Sequence, residues 1–140
     1  MKRVFFTVGP TAVGKSGIAA EVAHRLDAEV ISADAFQIYR GLDLLTAKPD
    51  RQTLSKAHHY LIGVTPLTQR MDAEKFRVAA EKIIDRGTPV IVAGGTGLYV
   101  KALTHGLAKL PSANETLRAK LETATNEELF RSLQKLDRET

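Results

Sequence analysis

The apolar and polar positions of the chain fall into alternating blocks. Val4 to Val8 (VFFTV) is a short, continuously apolar, β-branched and aromatic run, the pattern of a buried parallel strand. Ile18, Val22 and Leu26 then recur every fourth residue, which predicts an amphipathic helix with that stripe against the core. A second strand runs through Val30 and Ile31 and ends in Ser32-Ala33-Asp34. Positions 35–50 hold no period and are rich in turn formers, so they read as a functional loop with one short helical turn. A third strand is expected in HHYLIGV. From Asp72, an N-cap, the helical period returns with Phe76, Ala79, Ala80, Ile83 and Ile84. Val90 to Ala93 is a further buried strand that enters a glycine turn, and TGLYVKALTHGL continues as a helix terminated by Gly106. Strands and helices alternating at this length predict a parallel α/β sheet with ligands at the carboxyl ends of its strands. Gly9, Asp34 and Gly94 all lie at such ends.

The tail has a different pattern. Ser112 with Glu115 and Thr125 with Glu128 are spaced as capping boxes, one opening a helix with Leu117 and Leu121, the other a helix with Leu129, Leu133 and Leu136. No strand pattern follows. The expected organisation is an α/β core over 1–108 and a helical segment over 109–140. A small parallel sheet with an open edge and unpartnered amphipathic helices is marginal, so the chain reads as the front part of something longer.

The first turn carries the most specific chemistry. Gly9-Pro10-Thr11-Ala12-Val13-Gly14-Lys15-Ser16 has P-loop spacing, with a strand before it and a helix after it. The glycines let backbone N–H groups converge, and the following helix aims its positive dipole end at the same point. Lys15 adds a mobile charge and Ser16 a hydroxyl placed to ligate Mg²⁺. This predicts a P-loop NTPase-like core that binds the phosphates of a di- or triphosphate, nucleotides such as ATP included. It does not specify a reaction.

Composition narrows the setting. The 140 residues are 44% hydrophobic, enough for one packed domain. No run reaches membrane-spanning length and the first residues are too short in apolar content for a signal peptide, so a soluble cytoplasmic protein with no membrane partner is expected. The absence of cysteine excludes disulfides, thiolate catalysis and Cys-ligated zinc. The net charge of +4 is carried entirely by 1–108, because 109–140 is balanced, and that suits a polyanionic partner. His58 and His59 point to opposite faces of a strand, which argues against a shared metal.

Asp34, at the tip of the second strand, is placed to bind Mg²⁺ or to accept a proton from a nucleophile. The alternative is an aspartate that bonds its own turn. Beyond this point a resemblance adds to the residues. GPTAVGKS, SADAFQIYRGLDLLTAKP, HHYLIGV with AEKFRVAA, VAGGTGLYVKALTHGL and LPSANETLRAKL occur in the order found in tRNA dimethylallyltransferases. The resemblance implies that the P-loop holds the diphosphate of dimethylallyl diphosphate, that the adenosine N6 next to the tRNA anticodon attacks the allylic carbon, and that diphosphate leaves with Mg²⁺. It implies Asp34 as the base and Thr96 near the leaving-group oxygen. It implies that Asp34, Ala35, Phe36, Gln37, Thr96 and Arg118 meet tRNA, that 109–140 begins the tRNA-gripping region, and that the full-length enzyme is a monomer. Lys48, in TAKP, is expected on nucleic-acid phosphate.

Three departures stand out. Ala35 replaces the family's usual serine and Leu45 a usual glycine, and the family's chains are much longer, with an arginine-bearing segment that has no counterpart here. An inactive fragment is therefore one expectation. A small-molecule P-loop kinase and a non-catalytic nucleotide- or RNA-binding remnant are the alternatives.

Overall fold

The computed structural model describes residues 3–108 and 114–137. By contacts the chain divides into two compact units, Met1–Leu107 and Ala108–Thr140. The first holds β1 (Val4–Val8), α1 (Lys15–Leu26), β2 (Glu29–Ser32), α2 (Arg51–Leu54), β3 (His59–Tyr60), α3 (Ala73–Ile84), β4 (Val90–Gly94) and α4 (Gly97–His105). The four strands form one parallel sheet in the order β1-β4-β2-β3. This is the parallel α/β arrangement that the alternating pattern predicts, and it fits the P-loop NTPase-like core expected from the first turn.

The sheet's two faces are covered unequally. Val90 and Val92 of β4 point to one face, where they pack with Ile31 against Phe76, Ala80 and Ile83 of α3 and Tyr99 and Ala102 of α4. Phe76 and Tyr99 stack at 4.4 Å between ring centroids, and complete burial of a side chain like Phe76 is worth about 1.5–3 kcal/mol. Ile91 and Ala93 point to the other face and meet Ala19 and Ala23 of α1 with Val30 of β2. Asp72 caps α3 as expected, its Oδ1 accepting from Lys75 N–H at 2.8 Å, and Gly106 follows the last residue of α4 with φ 76°.

Two sequence expectations change here. The buried face of α1 is Ala19, Ala20 and Ala23, whereas Ile18, Val22 and Leu26 are exposed. The small side chains let the helix axis close onto the sheet, and the larger stripe is left exposed, while Glu21 and His24 meet Lys56. The third strand is also shorter than HHYLIGV. Leu61 has φ 61° and turns the chain out of β3, so that the Gly63, Val64 and Thr65 amides donate to the Gln37 and Ile38 carbonyls instead. In the loop region, Asp50 caps the single turn of α2.

The second unit contains α5 (Glu115–Glu122) and α6 (Asn126–Leu136). Thr125 and Glu128 form the reciprocal capping box that their spacing predicts. The other helix is capped by Asn114, whose Oδ1 accepts from Leu117 N–H at 2.9 Å, rather than by Ser112, which lies outside the described residues. Asn114 stands one residue before the helix, where its short amide side chain reaches the orphan amide. Leu117, Leu121, Leu133 and Leu136 are exposed.

Candidate active site

Because all strands run the same way, their carboxyl ends open on one side of the sheet. The segment after β1 is the P-loop. Gly9 has φ 155°, Ala12 φ 67° and Gly14 φ 82°, so the loop takes a positive φ at three residues, one of which carries a Cβ. For a residue with a Cβ, such as Ala12, this conformation costs about 1–3 kcal/mol, and such residues cluster where a backbone must be held for a ligand. Gly14 is the N-cap of α1, whose first amides have no side-chain cap and are left to an anion. Lys15 Nζ donates to the Pro10 carbonyl at 2.5 Å, which folds the ammonium across the loop.

The segment after β2 stands opposite. Asp34 Oδ1 accepts from the Phe36 and Gln37 amides at 2.9 and 3.2 Å, so the aspartate does close its own turn. Those bonds use one carboxylate oxygen and leave the other unengaged by the turn. Gln37 is no surface residue. Its Oε1 accepts from Ser32 Oγ at 3.2 Å, and its Nε2 donates to the Thr46 and Ala47 carbonyls at 3.3 and 3.2 Å.

The segment after β4 closes the arrangement. A Cβ on Gly94 would come within 2.2 Å of the Ala33 carbonyl oxygen, so β2 and β4 can lie this close at their tips only with glycine there. Thr96 Oγ1 accepts from Ala35 N–H at 2.9 Å, which ties the β4 turn to the Asp34 turn.

These pieces enclose a cleft of about 270 Å³ lined by Thr11, Ala12, Gly14, Lys15, Ser16, Gly17, Asp34, Gln37 and Ala47. Of the expected residues, the structure therefore brings the P-loop, Asp34 and Gln37 together. Thr96 and Ala35 are hydrogen-bonded to each other and are not among the lining residues, and Phe36 is exposed on the same turn. Arg118 lies on α5 in the second unit, exposed and paired with Glu122 at 3.6 Å. Ser16 and Asp34 offer a hydroxyl and a carboxylate, the hard oxygen donors that Mg²⁺ takes together with phosphate oxygens. Among the described residues no cluster of three or more His, Cys, Asp or Glu could hold a metal by itself.

A larger hollow, about 490 Å³, opens on the other side of Gly9 and Gly94, but it contains neither Lys15 nor Asp34 and is mostly apolar. Lys101 and His105 line it, one helical turn apart on α4. Sequence reasoning missed them, and the only signal was their shared helix face. Lys48 also departs from expectation. Its side chain is only 7% exposed and points inward, so it does not present its charge to a nucleic acid. Among the described residues, no helix is long and apolar enough to cross a membrane.

Comparison with known proteins agrees with this geometry. The sequence model of the IPP transferase family matches residues 37–140. The tRNA dimethylallyltransferase 2 of Geotalea uraniireducens is 42% identical across 99% of this chain and 47% of its own length. The tRNA dimethylallyltransferase of Akkermansia muciniphila is 40% identical across 96% of this chain and 47% of its own. Among solved structures, the tRNA isopentenylpyrophosphate transferase of Bacillus halodurans superposes with a TM-score of 0.73 at 33% identity, over 98% of this chain and 48% of that one. A eukaryotic dimethylallyltransferase acting on tRNA shares the fold at a TM-score of 0.82 and 24% identity, over 99% of this chain and 37% of that one. The chain thus spans about half the length of the curated relatives it matches. With a P-loop, a strand-tip aspartate and a glycine turn converging on one cleft, and a family match over most of its length, the chain belongs to the IPP transferase family.

Proposed function

We propose that this cleft is the diphosphate-holding part of a site that transfers a dimethylallyl group from dimethylallyl diphosphate to N6 of the adenosine next to the tRNA anticodon. The observation that carries the reading is the placement of Lys15, Ser16 and Asp34 on the walls of one small cleft. In the reaction the N6 lone pair forms a bond to the allylic carbon, the carbon–oxygen bond to diphosphate breaks with its electron pair, and N6 gives up a proton. Lys15 and the first amides of α1 hold the charge that collects on the departing oxygens, the kind of preorganised electrostatics that lowers such barriers most. Asp34, fixed through Oδ1, takes the proton on its other oxygen. Ser16 would hold Mg²⁺, which would supply charge neutralisation to the diphosphate. Thr96, through Ala35 N–H, keeps the Asp34 turn in register. Phe36, exposed on that turn, and Arg118 on α5 are the residues proposed to meet tRNA.

Titration with inorganic diphosphate, dimethylallyl diphosphate and ATP, each with Mg²⁺, tests the ligand. Lys15→Ala should cost about 1.5–3 kcal/mol of diphosphate binding, the worth of hydrogen bonds to a charged group. Equal binding by the variant removes the P-loop from the reading, and phosphate transfer from ATP to a small molecule replaces it with a kinase. In a relative of complete length, the substitution at the position matching Asp34 (Asp34→Asn) should keep diphosphate affinity. It should slow prenyl transfer by about two to four decades, as loss of a general base does.

A further inference from the structure

The segment from Tyr39 to Lys48 leaves the core, makes a tight turn and returns to the cleft, where Ala47 forms part of the wall. Its root is anchored. Ile38 is fully buried, Arg40 N–H donates to the Thr65 carbonyl at 2.9 Å, and the Tyr39 hydroxyl accepts from Met71 N–H at 3.0 Å. Its tip is not anchored by packing, because Leu44 and Leu45 are almost wholly exposed. Ala47, with φ 48°, must also hold a left-handed conformation that carries a cost for a residue with a Cβ.

Lys48 joins tip to root. Its ammonium donates to the Tyr39 carbonyl at 2.5 Å and to Asp43 Oδ1 at 2.6 Å, while its stem is buried. Gly63 lies against Nζ, where a Cβ would approach to 3.3 Å, so the charge sits in a fitted recess. The amide of Lys48 donates to the Asp43 carbonyl at 3.0 Å and so closes the same turn through the backbone. With the turn closed, the Thr46 and Ala47 carbonyls lie where Gln37 Nε2 can donate to both, and Gln37 Oε1 is held on Ser32 Oγ. A hydrogen-bond path therefore runs from the buried ammonium through the turn to Gln37, which itself lines the cleft beside Asp34.

We propose that Lys48 is a positioning residue: its buried ammonium clasps the 39–48 turn shut and so holds Ala47 and Gln37 as the wall of the Lys15 cleft. A buried ammonium is retained only when paired, and Asp43 with the Tyr39 carbonyl satisfies it at the one spot that closes the turn. The identity of the ligand rests on the function proposed above. The clasp does not.

The test uses Lys48→Met, which keeps the length of the stem and removes the charge, with Asp43→Asn as a milder variant at an exposed position. In the ligand-free chain, hydrogen exchange of the amides at 46–48 should quicken in both variants, more in Lys48→Met, with the β4 amides unchanged. Unchanged exchange at 46–48 overturns the clasp. Affinity for inorganic diphosphate with Mg²⁺ should fall about 2- to 30-fold in Lys48→Met, the range for a residue that acts on a site without touching its ligand. Because the effect passes through Gln37, Lys48→Met combined with Gln37→Ala should bind about as poorly as the worse single variant. Fully multiplied losses would overturn that path. A Lys48→Met chain whose only defect is salt-dependent binding of an RNA stem-loop would place the ammonium on nucleic-acid phosphate and overturn the proposal. If Lys15→Ala binds diphosphate as well as the unaltered chain, the P-loop reading falls, and the exchange result still decides Lys48.

Discussion

Strands β1 and β4 lie side by side in parallel, with Phe5 beside Ile91 and Phe6 beside Val92. Both are five-residue apolar runs that lead into glycine turns at the same end of the sheet. Yet every residue of β4 is buried, while Phe5, Phe6 and Val8 of β1 are exposed. The cause is position, since β4 has β1 on one edge and β2 on the other, whereas β1 pairs with β4 alone among the described strands. Apolarity says that a surface is built to be covered. It does not say which residues of this chain cover it.

The contrast is broken most severely at the glycines that end the two strands. Gly94→Ala drives a Cβ into the Ala33 carbonyl, where nothing flexible can yield, and should cost more than about 4 kcal/mol, a loss reserved for such collisions. Gly9→Ala meets nothing nearer than 3.8 Å and should cost about 1–3 kcal/mol, through its φ of 155° alone. Thermal or urea unfolding of the two variants measures the gap, and equal losses would mean that the strand tips are not held this close.

Next in size is the pair Phe5 and Ile91, neighbours on one face. Ile91→Ala should cost about 2–5 kcal/mol, and the larger Phe5→Ala only about 1 kcal/mol or less, because half of the ring is already in water. A Phe5→Ala loss as large as that of Ile91→Ala would show β1 to be covered in solution.

The smallest effect comes from the opposite edge of the sheet. His59 on β3 donates from Nδ1 to the Ala57 carbonyl, while Nε2 is buried with no hydrogen-bond partner among the described residues. Burial, the main cause, holds its pKa below the usual histidine value; the Ala57 bond opposes this and neighbouring His58 adds to it. As pH falls below about 6.5, the unfolded chain binds a proton that the folded chain refuses, so stability should decline there. The carboxylates with lowered pKa, Glu21, Asp50, Glu74 and Glu128, lose their contribution only at more acid pH. Unfolding at pH 5.5 and 7.5 should therefore show a drop in the unaltered chain that is flattened in His59→Asn.

What local physics dictates was legible before the structure. Glycines at the spacing of the P-loop, the period of α3, Asp72 and Thr125 as caps and Gly106 as a stop act over a few residues, so their identity suffices. Asp34 was legible as a strand-tip carboxylate, and the turn that it closes is the alternative that its residue type offers. What only the tertiary structure decided depends on partners distant in sequence. Alanines and not the larger residues of α1 are buried, because the close approach of a helix to β2 and β4 sets the allowed size. Gly94 is required by the backbone of Ala33, sixty-one positions from it. Lys48 turns inward rather than out to solvent, because the Tyr39 carbonyl and Asp43 meet only when the turn closes. Periodicity records how each segment would bury itself, but the strand order determines which face finds a partner.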